Sequence, residues 1–499
     1  METKELNKKI ASSVKWAGIT EIASKMIVPF SNMLLARLLS PNEFGVVATV
    51  SMITSFADIF TDAGFQKYLI QHDFKDKEDL HASANVAFWT NFGISVFIWS
   101  MIALFSEELA VLVGSPGLGN VIIISGISLV LTSFSSIQMV LYKRRFDYKT
   151  LFNVRMVGVM VPIVVTIPLA YLGLSYWSII IGTIATNVVN AVLLNYKSEW
   201  KPRLFYSVQL LKEMFSFSMW ILLESILLWL TSYSGTFIVG RYLSDYYLGI
   251  YKNSLSMVNS LMNIIVLSTN AVLLSALSVV KNNEREYRKL FFGFQQKVSL
   301  VLMPMGVGVF LYRELATDIL FGDKWKEASI FVGLYALAHA LTILTGQYVS
   351  IVFTSKGKPK LAVLSQVLQL MEMIPILMFT VDKGFKTLVY GACIARMLYG
   401  VINMILARIC LKLSTLAMLK NMLPAAAGCV IMTLITLGIN PSDKGILWQI
   451  ASIAVCVVAY ALVVMLFPST RKIVTEMLDG YKAKSANKRK GANAINEKV

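Results

Sequence analysis

Leu35 to Gly45 reads LARLLSPNEFG, and 204 residues later Val239 to Gly249 reads VGRYLSDYYLG. Laying 12–45 on 216–249 without a gap pairs Ser12 with Ser216, Trp16 with Trp220, Ile22 with Ile226, Arg37 with Arg241, Leu39 with Leu243, Ser40 with Ser244 and Gly45 with Gly249. Each copy ends a long apolar run with an Arg, turns through a short polar loop and begins a second apolar run after the Gly. That is how two membrane helices are joined at one face of a bilayer. The stretch therefore reads as a helical hairpin used twice.

Composition agrees with a membrane setting. Of the 499 residues 56% are hydrophobic and only 15% charged, and the mean hydropathy is +0.65. That is too apolar for a soluble protein of this length. Fourteen apolar runs approach the ~20 residues needed to cross about 30 Å of hydrocarbon. They lie near 14–38, 45–68, 83–106, 119–141, 151–172, 177–196, 214–240, 249–275, 293–312, 328–353, 361–381, 386–411, 420–439 and 446–467. The expected fold is all-α and polytopic. With a cytoplasmic N-terminus, 34 of the 46 Lys and Arg fall on the cytoplasmic side. Both termini are therefore expected there, and the net charge of +17 reads as a topology signal with affinity for anionic lipid, not for nucleic acid. The first run is of spanning length and lacks a small-residue cleavage site, so it reads as an uncleaved helix.

The repeat extends beyond the hairpin. Glu108-Leu109-Ala110 match Glu314-Leu315-Ala316, and Pro162 and Asn190 match Pro375 and Asn403. Two pseudo-symmetric six-helix lobes are expected at 1–200 and 201–415, followed by two further spans at 416–467 and a basic tail, expected disordered, at 468–499. The four cysteines, Cys393, Cys410, Cys429 and Cys456, all lie in apolar runs. They suggest packing, with no disulfide framework and no metal site. No phosphate loop of the form G-x-x-x-x-G-K-S/T is present, so nucleotide does not drive the protein. No connection is long enough for a catalytic domain, so the expectation is not an enzyme, and no cofactor is implied.

The hairpin LLARLLSPNEFGVVATVSMITSFADIFTDAGFQKYLIQ, the stretch LFGDKWKEA at 320–328 and the six-plus-six-plus-two plan resemble the oligosaccharide flippases, Wzx type, of the multidrug/oligosaccharidyl-lipid/polysaccharide superfamily. The resemblance is carried most by Leu39–Gly45 and by Asp62–Phe65. It implies a multi-pass protein of the bacterial inner membrane that moves polyprenyl-pyrophosphate-linked oligosaccharide repeat units between leaflets, for O-antigen, lipopolysaccharide or exopolysaccharide synthesis. Lipid-linked oligosaccharide, membrane lipids, H+ or Na+, and a polysaccharide polymerase with other assembly proteins are the implied partners. A lipid II flippase or a drug/cation antiporter of the same superfamily is the alternative.

Ionisable residues inside spans are costly and mark transport paths. Here they are Glu21, Lys25, Asp58, Asp62, Arg155, Glu224, His339, Glu372 and Arg396. Counting from the turn places Lys25 level with Asp58, and Glu21 level with Asp62; a similar count sets Arg396 level with Glu372. Because a pyrophosphate needs fixed cations to cross hydrocarbon, Lys25, Arg396 and Arg155 are the candidate substrate-binding residues. Glu21, Asp58, Asp62, Glu224 and Glu372 are the candidates for ion coupling or charge pairing. His339, alone on an apolar helix, reads as packing. Arg37 and Arg241 are expected to fix the outer ends of their spans.

Overall fold

The computed structural model describes residues 3–62, 64–439, 445–473 and Thr475; the side chains of 3–8, of Asp62 and of 216–221 lie outside that description, as does most of the basic tail. Among the described residues there is helix and no strand. In chain order the helices are α1 Thr3–Leu38, α2 Pro41–Asp62, α3 Phe65–Gln71, α4 Lys77–Leu104, α5 Ser106–Leu112, α6 Gly119–Arg144, α7 Tyr148–Val161, α8 Ile167–Tyr171, α9 Trp177–Tyr196 and α10 Val208–Tyr242. They continue as α11 Asp245–Val279, α12 Glu284–Leu311, α13 Arg313–Phe321, α14 Ala328–Thr342, α15 Tyr348–Ser355, α16 Pro359–Val381, α17 Phe385–Leu411, α18 Thr415–Ile439 and α19 Ile446–Met465.

The starts of these helices follow from local chemistry. Asp76, Asp147, Ser207 and Asn283 each accept a hydrogen bond from the backbone N–H three residues on, satisfying a donor that the first turn leaves open. Ser40 and Glu43 form a capping box before α2: Ser40 N–H donates to Glu43 Oε2 at 2.6 Å, and Pro41 occupies the first helical position. Two π-turns interrupt otherwise continuous spans. Pro162–Thr166 joins α7 to α8 where proline lacks an N–H, and Ile343–Gln347 joins α14 to α15.

Among the described residues thirteen helices are long and apolar enough to cross a membrane, from Pro41–Thr61 to Ile446–Met465. The expected count of fourteen differs by α1. That helix has 36 residues, ample for a crossing, but Lys15, Glu21, Lys25 and Arg37 leave it without a sufficiently apolar window. It packs along α7 instead of standing alone, with Trp16 against Phe152 at 4.9 Å between ring centroids.

The chain forms two compact units. The first runs through Ile264 and includes Thr317–Phe331 and Gln366–Ala395; the second comprises Ile265–Ala316, Val332–Ser365 and the chain from Arg396. The core of the first is built on α4, α6, α9 and α10, with Phe88, Ile137, Leu141 and Met214 buried together. Within the second, α12 packs on α18 and α18 on α19, where Tyr460 donates to the Leu300 carbonyl at 2.9 Å. There, a Cβ on Gly306 would stand 2.6 Å from Ala340 Cβ and 3.0 Å from the Ala336 carbonyl, whereas one on Gly308 would meet nothing. Gly306→Leu should therefore destabilise the protein by about 1–3 kcal/mol through overpacking. Gly308→Leu should change it by no more than ~0.5 kcal/mol. Thermal unfolding of the two variants in detergent checks the difference.

Candidate functional site

The two quoted turns meet inside the first unit. Gly45, one turn into α2, lies against the start of α11, so that a Cβ there would be 1.9 Å from the Asp245 carbonyl oxygen. Gly249, its counterpart in α11, lies against the start of α2, and a Cβ would be 1.8 Å from the Pro41 carbonyl. Two helix starts thus cross at a distance that only residues without a side chain allow. The repeated glycine has a physical reason, and the reason is the other copy.

The repeated arginines are exchanged in the same way. Arg37 Nη2 donates to the carbonyls of Asp318 at 3.4 Å and Ile319 at 3.2 Å, in the last turn of α13. Arg241 Nη1 donates to the Val111 carbonyl at 3.2 Å, in the last turn of α5. Each copy's arginine therefore caps the short helix that follows in the other copy. A cation there satisfies open carbonyls and opposes the helix dipole. After those helices stand Gly114 and Gly322, both with positive φ. A Cβ on Gly114 would lie 2.0 Å from the Gly240 carbonyl. Trp325, fully buried, donates to the Ala36 carbonyl at 2.8 Å and packs edge-on to Phe44, while Lys324 Nζ reaches the Leu38 carbonyl at 2.7 Å. Ser115 donates to Asp245 Oδ1 at 2.6 Å. The hairpin end of this unit is held by backbone contacts and helix caps together with an apolar cluster of Leu35, Leu39, Phe44 and Ala170.

The candidate charges fall in several places. Lys25 is half-buried on α1, and among the described residues no ion pair joins it to Asp58, which is exposed on α2. Equal depth does not bring the two together, because depth leaves helix rotation undetermined. Arg155 of α7 is exposed and its Nε reaches Ser24 Oγ at 3.4 Å, which sets it on α1 one residue from Lys25. Glu21 is exposed. Glu224 makes an exposed ion pair with Lys67 of α3 at 3.5 Å, an arrangement that contributes little to stability. Asp62 lies outside the described side chains. Glu372, on α16, has both carboxylate oxygens buried without a hydrogen-bond partner among the described residues.

Arg396 has a different neighbourhood, within the second unit. Its Nη2 is 3.0 Å from His339 Nδ1, and its guanidinium stands 5.9 Å from the Tyr335 ring, which stacks on His339 at 5.4 Å. An arginine can only donate, so His339 Nδ1 is the acceptor and its proton is on Nε2. His339, 3% exposed, is thus more than packing. The π-turn beside it shapes the spot: Thr342 Oγ1 donates to the Arg396 carbonyl at 2.7 Å, and Gln295 Nε2 takes the freed Leu344 carbonyl at 3.2 Å. Arg396 Nε is buried with no partner among the described residues. The cation is held in place by neutral groups, which leaves its charge open to an anion.

The first unit also contains a cavity of about 670 Å³ between α2, α4 and α10, lined by Phe56, Phe60, Phe97, Met101 and Leu222 among other apolar side chains. Among the described residues its lining side chains are all apolar, which suits hydrocarbon better than a sugar. Lys252, which the sequence places near the outer start of the run 249–275, stands two turns inside α11 and is half-buried.

An all-helical bundle with, among the described residues, thirteen helices long and apolar enough to span defines a multi-pass membrane protein. The family model described as "Polysaccharide biosynthesis protein" matches residues 34–330, and the chain belongs to that family. It is 26% identical over 335 residues to the succinoglycan biosynthesis transport protein ExoT of Rhizobium meliloti, covering 67% of each chain. It is 21% identical to the lipopolysaccharide biosynthesis protein WzxC of Escherichia coli, over 64% of this chain and 65% of that one. To the teichuronic acid biosynthesis protein TuaB of Bacillus subtilis it is 22% identical, over 72% and 73%. The fold is similar to that of the lipid II flippase MurJ, with a TM-score of 0.74, 13% identity and coverage of 92% of this chain and 100% of that one. It is also similar to a multidrug resistance transporter of the MATE family, with a TM-score of 0.62, 11% identity and coverage of 82% of this chain and 99% of that one.

The hairpin end yields a prediction. Gly45→Leu and Gly249→Leu should each force the crossed helix starts apart. Thr49, fully buried beside Ser115, reports on this when replaced by cysteine. In the purified protein Cys at 49 should resist a water-soluble maleimide with Gly45 present and be modified with Leu there; equal modification rates would count against the closure.

Proposed function

We propose that this protein flips polyprenyl-pyrophosphate-linked oligosaccharide repeat units across the bacterial inner membrane for cell-surface polysaccharide synthesis. Both termini are cytoplasmic on this reading, the hairpin end faces outward, and the protein acts as a transporter and not as an enzyme. The observation that carries it is the reciprocal closure of Gly45 on Asp245 and Gly249 on Pro41. Two copies of one hairpin that shut one end by touching each other can open it by parting, which is the geometry alternating access needs. The lobes that part are residues 1–200 and 201–415, with 416–467 and the tail 468–499 as additions.

Lys25, Arg155 and Arg396 are the cations offered to the pyrophosphate or to acidic sugars. A buried anion without compensation costs many kcal/mol, so a path for pyrophosphate requires them. His339 keeps the Arg396 guanidinium in place. Energy comes from a proton or sodium gradient, with Glu372 as the first carrier to test and Glu21, Asp58, Asp62 and Glu224 after it. Polymerase and other assembly proteins take the product outside.

Deleting the gene should remove the surface polysaccharide and leave the lipid-linked repeat unit accumulating inside the cell. Accumulation of lipid II, with polysaccharide intact, would point to the lipid II reading. In the complemented deletion, Lys25→Ala and Arg396→Ala should reach the membrane at normal levels and cut surface polysaccharide at least ~10-fold, the effect of removing a charge-assisted contact worth about 1.4 kcal/mol or more. His339→Leu should follow Arg396→Ala, and the double variant should be no worse than either alone, since both act through one group. Wild-type polysaccharide levels in either alanine variant would remove that residue from the path.

A further inference from the structure

Among the described residues Lys252 has no carboxylate partner. It lies seven residues into α11, about 10 Å along the helix axis, and one turn further in than Gly249. Its side chain is half-buried, and among the described residues no carboxylate pairs with it and no hydrogen bond to its ammonium is found. Its Nζ stands 3.9 Å from the Tyr233 ring centroid of α10. Tyr233 in turn stacks on Trp229 at 5.4 Å with a 21° interplanar angle, and Trp229 Nε1 donates to Ser55 Oγ of α2 at 3.0 Å. The three side chains form a line that leads inward from directly beneath the closed hairpin end.

A ring face returns only part of the hydration that an ammonium gives up on burial, so the contact with Tyr233 explains where Lys252 rests but not why a lysine is there. A leucine or methionine would fill the same space at less cost. Asp245, the nearest carboxylate on its own helix toward the turn, is engaged with Ser115. The missing member is an anion. A stacked aromatic pair next to a lysine is also the side-chain set that binds carbohydrate, whose ring C–H face lies on aromatic faces while its charged substituent meets the ammonium.

We propose that Lys252, Tyr233 and Trp229 form a binding subsite for an anionic carbohydrate group, either the phosphate linkage or a carboxylate-bearing sugar of the transported ligand. The proposal rests on the flippase reading for its ligand class. It places the subsite immediately inside the hairpin closure, in the first unit, where an anion would meet Lys252 before the end opens.

The test uses the full-length protein in detergent or liposomes, with inorganic pyrophosphate as one probe and a glucuronate-containing disaccharide as the other. Lys252→Met should weaken binding of at least one probe by about tenfold or more, while Lys252→Arg keeps it within about threefold. An effect on pyrophosphate alone assigns the subsite to the linkage; an effect on the disaccharide alone assigns it to an acidic sugar. A second measurement needs no variant: acetylation of Lys252 in the native protein, read by mass spectrometry, should slow several-fold when the effective probe is present. Equal binding by Lys252→Met and the native protein, binding of neither probe, or acetylation indifferent to both would overturn the proposal. These outcomes are independent of the gene-deletion result, which tests the flippase reading itself.

Discussion

The carbonyl of Asp245 can approach α2 only because residue 45 has no side chain, and the carbonyl of Pro41 can approach α11 only because residue 249 has none. Everything at the hairpin end depends on this double approach. It brings Arg37 and Arg241 within reach of the last turns of α13 and α5, and it holds Trp325 over the Ala36 carbonyl. Each arginine cap is worth about 0.3–1 kcal/mol at an exposed helix terminus, too little to fix the end permanently. The closure combines this steric fit and the polar contacts with the apolar packing of Leu35, Leu39 and Phe44.

The charges within the spanning helices follow a second constraint, that a cation there is retained only where something compensates it. The two conspicuous cases are solved differently. Arg396 is supported by neutral His339 and Tyr335, with its own carbonyl held by Thr342 next to a π-turn. Lys252 rests on Tyr233. Neither has a carboxylate partner among the described residues, so both keep a net charge for a ligand. Carboxylate-paired cations would have been better neutralised and less available, as with the exposed pair of Lys67 and Glu224.

The helical bundle was legible in the sequence because a spanning helix needs its apolar length and little else. The hairpin repeat was legible because Arg, Leu, Ser and Gly recur at one offset. The purpose of the repeated Gly was not, since a close backbone approach leaves no mark in composition. α1 shows the limit of hydropathy from the other side: the apolar run at 14–38 marks only part of a helix that starts at Thr3, and its charges keep it below the apolarity of the thirteen candidate spans among the described residues. Counting residues from a turn gave depth but not rotation, and so placed Lys25 level with Asp58 without making a pair. Lys252 lies near the start of the run 249–275 and counts by position with the outer-side charges, but the helix begins a turn earlier, at Asp245, and carries the lysine inward. His339 reads as packing from one helix alone, because its partner Arg396 is 57 residues away.

Distance between the two helix starts is the quantity on which transport turns. Spin labels at Asn42 and Ser244, both exposed, would report it by double electron-electron resonance in membrane vesicles from cells that do or do not make the lipid-linked oligosaccharide. A short distance without substrate, joined by a second population at clearly greater separation when substrate is present, is the predicted result. A single short distance under both conditions, in vesicles that still translocate the oligosaccharide, would contradict the opening of this end.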